Sequence, residues 1–284
     1  MNQLFSKLLF VLLIASPVAS HAEIVERQFR VPVTVALEGQ PRFSHDVIVT
    51  AFQDNQRKPS RFMIILHGRA GTAAERAAYG RSRFVDVAQE FAAQGYAVFV
   101  PTRIGYGDTG GPDIEETGRC NAKDYVGGMV PATDEVIQLI AAIRKLPDMG
   151  QSAGVIVGQS VGGLLATSLA ARKPPRVIAY VNFAGGAGGD PKKKPGQPCE
   201  PAKLTSAFAQ FGAKARTPSL WLYSSNDLYW GPDYPREWFA AYRKAGGRVR
   251  FVALPPYGTD GHQSFSRNRD GWRDAVMQFL RNPQ

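Results

Sequence analysis

From residue 61 onward, short apolar runs alternate with segments whose apolar residues recur at the helical period. This alternation constrains the fold more than any other feature of the sequence. The runs are residues 61–66 (RFMIIL), 96–100 (YAVFV), 154–157 (GVIV), 177–181, 219–223 and 249–254. Strands buried on both faces of a parallel sheet read as continuous apolar runs of this kind. Between them, Phe84, Val87, Ala88 and Phe91 recur at i, i+3, i+4 and i+7, and Val136, Leu139, Ile140 and Ile143 mark a second amphipathic helix. Residues 162–171 have helical composition, and Pro235 opens a helix that Trp238 and Tyr242 continue to Gly246 and Gly247. Trp272, Val276, Phe279 and Leu280 form the apolar stripe of a last helix. With two β-rich stretches at residues 24–37 and 46–52, the pattern predicts an α/β fold. Its mainly parallel central sheet has about eight strands, with helices on both faces. Residues 185–217, rich in Gly and Pro and carrying Lys192–Lys194, read as an irregular excursion over the sheet edge.

The chain has 284 residues, 44% of hydrophobic type, enough for one large core without disulfide scaffolding. Residues 1–22 place Lys7 before a short apolar run and end in Ser20, His21 and Ala22. A charged start, a short apolar stretch and a small-x-small site predict a secretory signal peptide cleaved near Ala22. The run is too short to span about 30 Å of hydrocarbon. Residues 23–284 then form a single domain, periplasmic or secreted. Outside the cytosol, the only two cysteines, Cys120 and Cys199, are expected to pair, two free thiols being the alternative. The formal charge of +10 is dispersed apart from Lys192–Lys194 and has no aromatic interleaving. It predicts a solvated basic surface rather than a nucleic-acid site.

One constellation carries chemistry. Gly158-Gln159-Ser160-Val161-Gly162 follows the run GVIV directly and opens a helical segment, the strand–turn–helix context that gives G-x-S-x-G its meaning. The turn lifts the Ser160 hydroxyl clear of the sheet. Flanking glycines are needed because side chains there would collide with neighbouring backbone. Serine needs a base. Of four histidines, His21 leaves with the leader, His45 precedes the central strands, and His67 ends RFMIIL. His262 remains, in the loop after the last strand, on the sheet edge where Ser160 also stands. Asp227, after residues 219–223, is the candidate orienting acid, with Asp233 as the alternative; Asp260 is expected to shape the turn before His262. Two N–H donors should face a developing oxyanion. Val161 supplies one, and Arg69, or alternatively Gly68, supplies the other from the His67-Gly68-Arg69-Ala70-Gly71 loop. Tyr106 and Trp230 are candidates for the substrate pocket. Gly105, Gly107 and Gly110 formally match a dinucleotide fingerprint, but Pro112 and acidic residues follow where a helix should open.

These motifs resemble the α/β-hydrolase superfamily, in particular its dienelactone hydrolase-like and small prolyl-oligopeptidase-like serine esterases. The carriers are HGRAG at 67–71, PTRIGYGDTGG at 101–111, GQSVGG at 158–163, SSND at 224–227 and GTDGH at 258–262. The order Ser160, Asp227, His262 is that of the superfamily. The resemblance implies an α/β-hydrolase fold without a large lid and an enzyme that cleaves small-molecule or polymer-linked carboxylic esters through an acyl-enzyme, exported if the leader of residues 1–22 acts as read above. No cofactor, metal, nucleic acid or stable membrane insertion is expected. A serine peptidase on the same fold is the alternative, and a non-catalytic binding protein a further one.

Overall fold

A computed structural model describes residues 23–283, so the expected leader lies outside the described residues. The elements in chain order are β1 Ile24–Val35, β2 Phe43–Asp54, β3 Arg61–Leu66, α1 Ala73–Ala77, α2 Val85–Ala93, β4 Tyr96–Thr102, α3 Val130–Ile143, β5 Ala153–Gln159 and α4 Val161–Arg172. They continue with β6 Val177–Phe183, α5 Pro201–Lys214, β7 Ser219–Ser224, α6 Tyr234–Lys244, β8 Val249–Leu254, α7 Ser264–Arg267 and α8 Arg269–Arg281. The eight strands form one sheet in the order β1-β2-β4-β3-β5-β6-β7-β8. β2 is antiparallel to both β1 and β4, and every pairing from β4 to β8 is parallel.

The period of two explains why the central runs are apolar throughout. In β3, Phe62, Ile64 and Leu66 face one core while Met63 and Ile65 face the other; in β5, Ile156 faces the first and Val155 and Val157 the second. The first core is closed by α3 to α6, through Leu139, Leu165, Phe208 and Trp238. The second is closed by α2 and α8, through Phe91, Trp272 and Phe279. From β3 onward, strand starts lie within one residue of the expected ones, while β2 starts three residues earlier, at Phe43 rather than 46, and both helical layers carry the stripes that the periodicity marks.

One expectation is corrected. The second half of residues 185–217 is not an irregular excursion but α5, which buries Leu204, Ala207, Phe208 and Phe211. Those four positions have helical spacing. Pro201 stands in the first turn, where a missing N–H costs nothing. The residues before it form a loop, and 215–217 lead from it towards β7.

Cys120 and Cys199 are bonded, with Cα atoms 5.0 Å apart and a sequence separation of 79. On the loop-entropy account a closure of this length stabilises by about 4 to 5 kcal/mol.

Candidate active site

The C-terminal edge of the parallel strands gathers the residues singled out from the sequence. Ser160 stands between β5 and α4 with φ 57° and ψ −123°, a conformation that side chains rarely adopt. Strain of this kind costs roughly 1–3 kcal/mol and persists only where surroundings impose it. Here they do. Ser160 donates its N–H to the Phe183 carbonyl at 2.9 Å, and its own carbonyl accepts from Gly163 at 2.8 Å and Gly186 at 3.2 Å. A Cβ on Gly158 would lie 2.0 Å from the Gly162 carbonyl oxygen, and one on Gly162 would lie 2.3 Å from that of Leu66. The glycine requirement of the turn is therefore backbone against backbone, which no rotamer change could relieve.

Asp227 follows β7 and is buried. Its Oδ1 accepts the N–H groups of Tyr229 at 2.8 Å and Trp230 at 3.2 Å. Its Oδ2 lies 2.9 Å from Nδ1 of His262. A carboxylate can only accept, so Nδ1 carries the proton and Nε2 is left available. Two further contacts fix His262. Asp260 accepts the His262 N–H at 3.0 Å and the Leu228 N–H at 3.1 Å, which ties the base's turn to the acid's loop. Gln159, beside Ser160, donates its side-chain amide to the His262 carbonyl at 3.3 Å. Tyr229 stacks on the imidazole with ring centroids 4.0 Å apart, and Trp230 meets it edge-on at 5.6 Å. Among the described residues no hydrogen bond joins Ser160 to His262; such bonds commonly tighten only when substrate binds. Asp233 stands at the start of α6 and has no bond to His262 among the described residues, so Asp227 is the partner.

The HGRAG loop presses on the same serine: a Cβ on Gly68 would lie 3.2 Å from Cβ of Ser160. His67 holds this loop. Complete burial and the adjacent Arg103 guanidinium push its pKa well below the usual value, so the ring is neutral. Nε2 accepts the Arg103 N–H at 3.2 Å, which leaves Nδ1–H to donate to the Gly68 carbonyl at 2.7 Å. That carbonyl and the Arg69 N–H are opposite ends of one planar peptide, so fixing one fixes the other. The Val161 N–H belongs to the first turn of α4, whose N–H groups have no carbonyl within the helix to bond.

Beneath the loop lies a buried ionic cluster that the sequence did not reveal. Arg103 is fully buried, donates Nε to Glu115 and Nη1 to the His67 carbonyl at 2.7 Å. Glu115 also accepts the Tyr106 hydroxyl at 2.7 Å. Glu135 accepts the Ile104 N–H at 3.1 Å, and burial pushes its pKa up to about 8. Arg69 pairs with Asp113 and Glu116.

Tyr106 is thereby corrected as a pocket residue. It is 0% exposed, with its hydroxyl turned to Glu115 and its ring against His67 at 4.6 Å. A tyrosine whose hydroxyl meets a buried carboxylate gains more there than on a wet wall. Its motif, Gly105 to Gly110, forms a tight turn with a Tyr106–Gly110 bridge, and no helix opens after it before residue 127. Trp230, by contrast, does line the cleft above Ser160. That cleft, of about 860 Å³, is lined by Ser160 and Val161 together with Tyr79, Tyr229, Arg69, Lys123 and Asp190. Among the described residues there is no cluster of three or more His, Cys, Asp or Glu that could hold a metal, and no helix long and apolar enough to cross a membrane.

Comparison with known proteins agrees with this architecture. The model of the alpha/beta hydrolase family matches residues 63–280. No curated protein sequence matches the chain. Among solved structures, the Pyrococcus horikoshii acylaminoacyl peptidase superposes with a TM-score of 0.63 at 15% identity, over 91% of this chain. The match spans only 41% of that peptidase. A putative dienelactone hydrolase from Klebsiella pneumoniae gives 0.55 at 16% identity, covering 89% of this chain and 99% of that one. Est1E from Butyrivibrio proteoclasticus, solved with ferulic acid bound, gives 0.58 at 17% identity, covering 87% and 97%. At these identities the likeness is one of fold.

Proposed function

Because the chain belongs to the alpha/beta hydrolase family, we propose that it is an exported serine hydrolase that cleaves carboxylic esters through an acyl-enzyme. The observation that carries this reading is the 2.9 Å bond from Asp227 to His262 on the edge where Ser160 stands in its strained turn. In the first half-reaction His262 Nε2 takes the Ser160 proton as Oγ attacks the ester carbonyl. Asp227 stabilises the imidazolium without itself being protonated. The N–H groups of Val161 and Arg69 receive the oxyanion, and preorganised donors of this kind are each worth about 10²–10³ in rate. His262 then protonates the leaving alkoxide. Water, deprotonated by the same imidazole, releases the acid and restores Ser160.

The cleft supports a hydrophilic ester. Charged side chains of both signs, from Arg69, Lys123, Asp190 and Glu116, reach its walls, and a long alkyl chain would leave them desolvated without partners. Export rests on the leader pattern of residues 1–22, and the disulfide suits an oxidising compartment. The dispersed basic charge gives no support to a nucleic-acid partner.

A serine peptidase on the same fold is the alternative, since the likeness to the acylaminoacyl peptidase shows that this fold carries both activities. One kinetic experiment decides between them. With 4-nitrophenyl acetate, rapid mixing should give a burst of nitrophenolate equal to the enzyme, followed by slower turnover, while aminoacyl 4-nitroanilides should turn over at least about 100-fold more slowly. A linear trace without a burst would argue against an accumulating acyl-enzyme, and faster anilide turnover would make the chain a peptidase.

A further inference from the structure

The disulfide lies far from Ser160 in sequence, yet it joins two loops that both line the cleft and touch each other there. One wall is formed by Glu116, Thr117, Gly118 and Lys123, and Cys120 sits within it. The other wall is residues 187–193, and Cys199 ends the loop that carries it. Both walls lack a helix or strand. Each loop has hydrogen bonds of its own, as from Lys192 N–H to Asp190 and from Gly118 N–H to Glu116, and a further set of contacts centred on the bridge ties one loop to the other. Cys199 donates its N–H to the Gly188 carbonyl at 2.9 Å, and Gly189 pairs with Pro198. The Tyr125 hydroxyl donates to the Cys199 carbonyl, and the Lys123 N–H donates to the Glu200 carboxylate. Cys120 is exposed and Cys199 only half-buried, so the bond packs against neither sheet core. Its action falls on the loops rather than on the body of the fold.

We propose that the Cys120–Cys199 disulfide sets the width of the substrate cleft and thereby determines which esters reach Ser160. The two cysteines are positioning residues, since neither touches the reacting atoms. The inference rests on Ser160 being the nucleophile. Held together, the walls exclude groups that branch broadly beside the scissile bond; released, they part and admit them.

Two organophosphates with the same leaving group test this. Diethyl and diphenyl 4-nitrophenyl phosphate each phosphorylate a reactive serine: the Oγ–P bond forms, the P–O bond to nitrophenol breaks, and nitrophenolate leaves. The released colour gives the rate constant. In a Cys120→Ser/Cys199→Ser double variant, the ratio of diphenyl to diethyl rate constants should rise about tenfold, the scale on which pocket dimensions discriminate. Tyr125→Phe keeps the bond but frees the Cys199 carbonyl, and should raise the ratio about two- to threefold by the same logic. A ratio unchanged or lowered in both variants would overturn the proposal, even if both rate constants fell together, because that is what general destabilisation produces. If the double variant does not fold, Tyr125→Phe decides alone. Failure of the native enzyme to react with either reagent would overturn the reading of Ser160, and this inference with it.

Discussion

Replacing Asp227 by Asn is expected to lower kcat for 4-nitrophenyl acetate about 10⁴-fold, the loss seen where the same constellation operates in unrelated folds. The geometry explains the size. Oδ2 of Asp227 is the atom that holds His262 Nδ1, at 2.9 Å. Oδ1 is committed to the N–H groups of Tyr229 and Trp230 and must remain an oxygen. The amide nitrogen of Asn must therefore face His262, and as a donor it forces the proton onto Nε2. The base is then protonated where it should accept. Because the backbone contacts persist, thermal stability should change little. Asp233→Asn, at the start of α6, should leave kcat unchanged. A loss of less than about tenfold in the Asp227 variant would show that His262 does not depend on it for its tautomer.

Arg103→Met should be among the most destabilising substitutions in the molecule, at about 3–5 kcal/mol, because it leaves the Glu115 carboxylate buried without its cation. Arg69, 4.0 Å from Glu115 and already paired with Asp113, replaces little of that charge. Removing the guanidinium also removes an attraction that holds the Glu135 pKa down, so that carboxyl would stay neutral to higher pH. The same side chain donates to the His67 carbonyl at 2.7 Å, so the HGRAG loop loosens and kcat falls as well. The double change Arg103→Met/Glu115→Gln should recover much of the stability, since the unpaired charge goes while the Gln oxygen can still accept the Tyr106 hydroxyl. Urea unfolding of the three proteins measures this. A single variant as stable as the native protein would mean that the buried pair contributes nothing.

The parts of this molecule legible in the sequence are those dictated by burial and by turn geometry. A strand covered on both faces has to be apolar at every position, so β3 and β5 stood out. The Ser160 turn needs glycines where Gly158 and Gly162 occur, and it has to follow a strand. His262 could be reached by elimination because only four histidines exist. The disulfide followed from cysteine count and expected export. The remainder depended on loop paths. Tyr106 sits in a Gly-rich loop whose sequence is the same whether the ring points to the cleft or inward; the burial of Glu115 and His67 decides that it points inward. α5 carried its period in Leu204, Ala207, Phe208 and Phe211, but Gly and Pro immediately before it suggested a loop throughout. The Arg103–Glu115 pair was illegible because isolated charges in a loop look solvated until tertiary structure closes over them. That the disulfide joins two cleft-lining loops was equally a matter of where the chain turns back.

Everything proposed for this cleft depends on Ser160 being the nucleophile of a hydrolase. Incubating the purified protein with a fluorophosphonate and measuring its mass, followed by peptide mapping, tests that directly. One adduct per chain is expected on the peptide containing Ser160, and none in Ser160→Ala. An unmodified native protein, or an adduct that persists in Ser160→Ala, would contradict it.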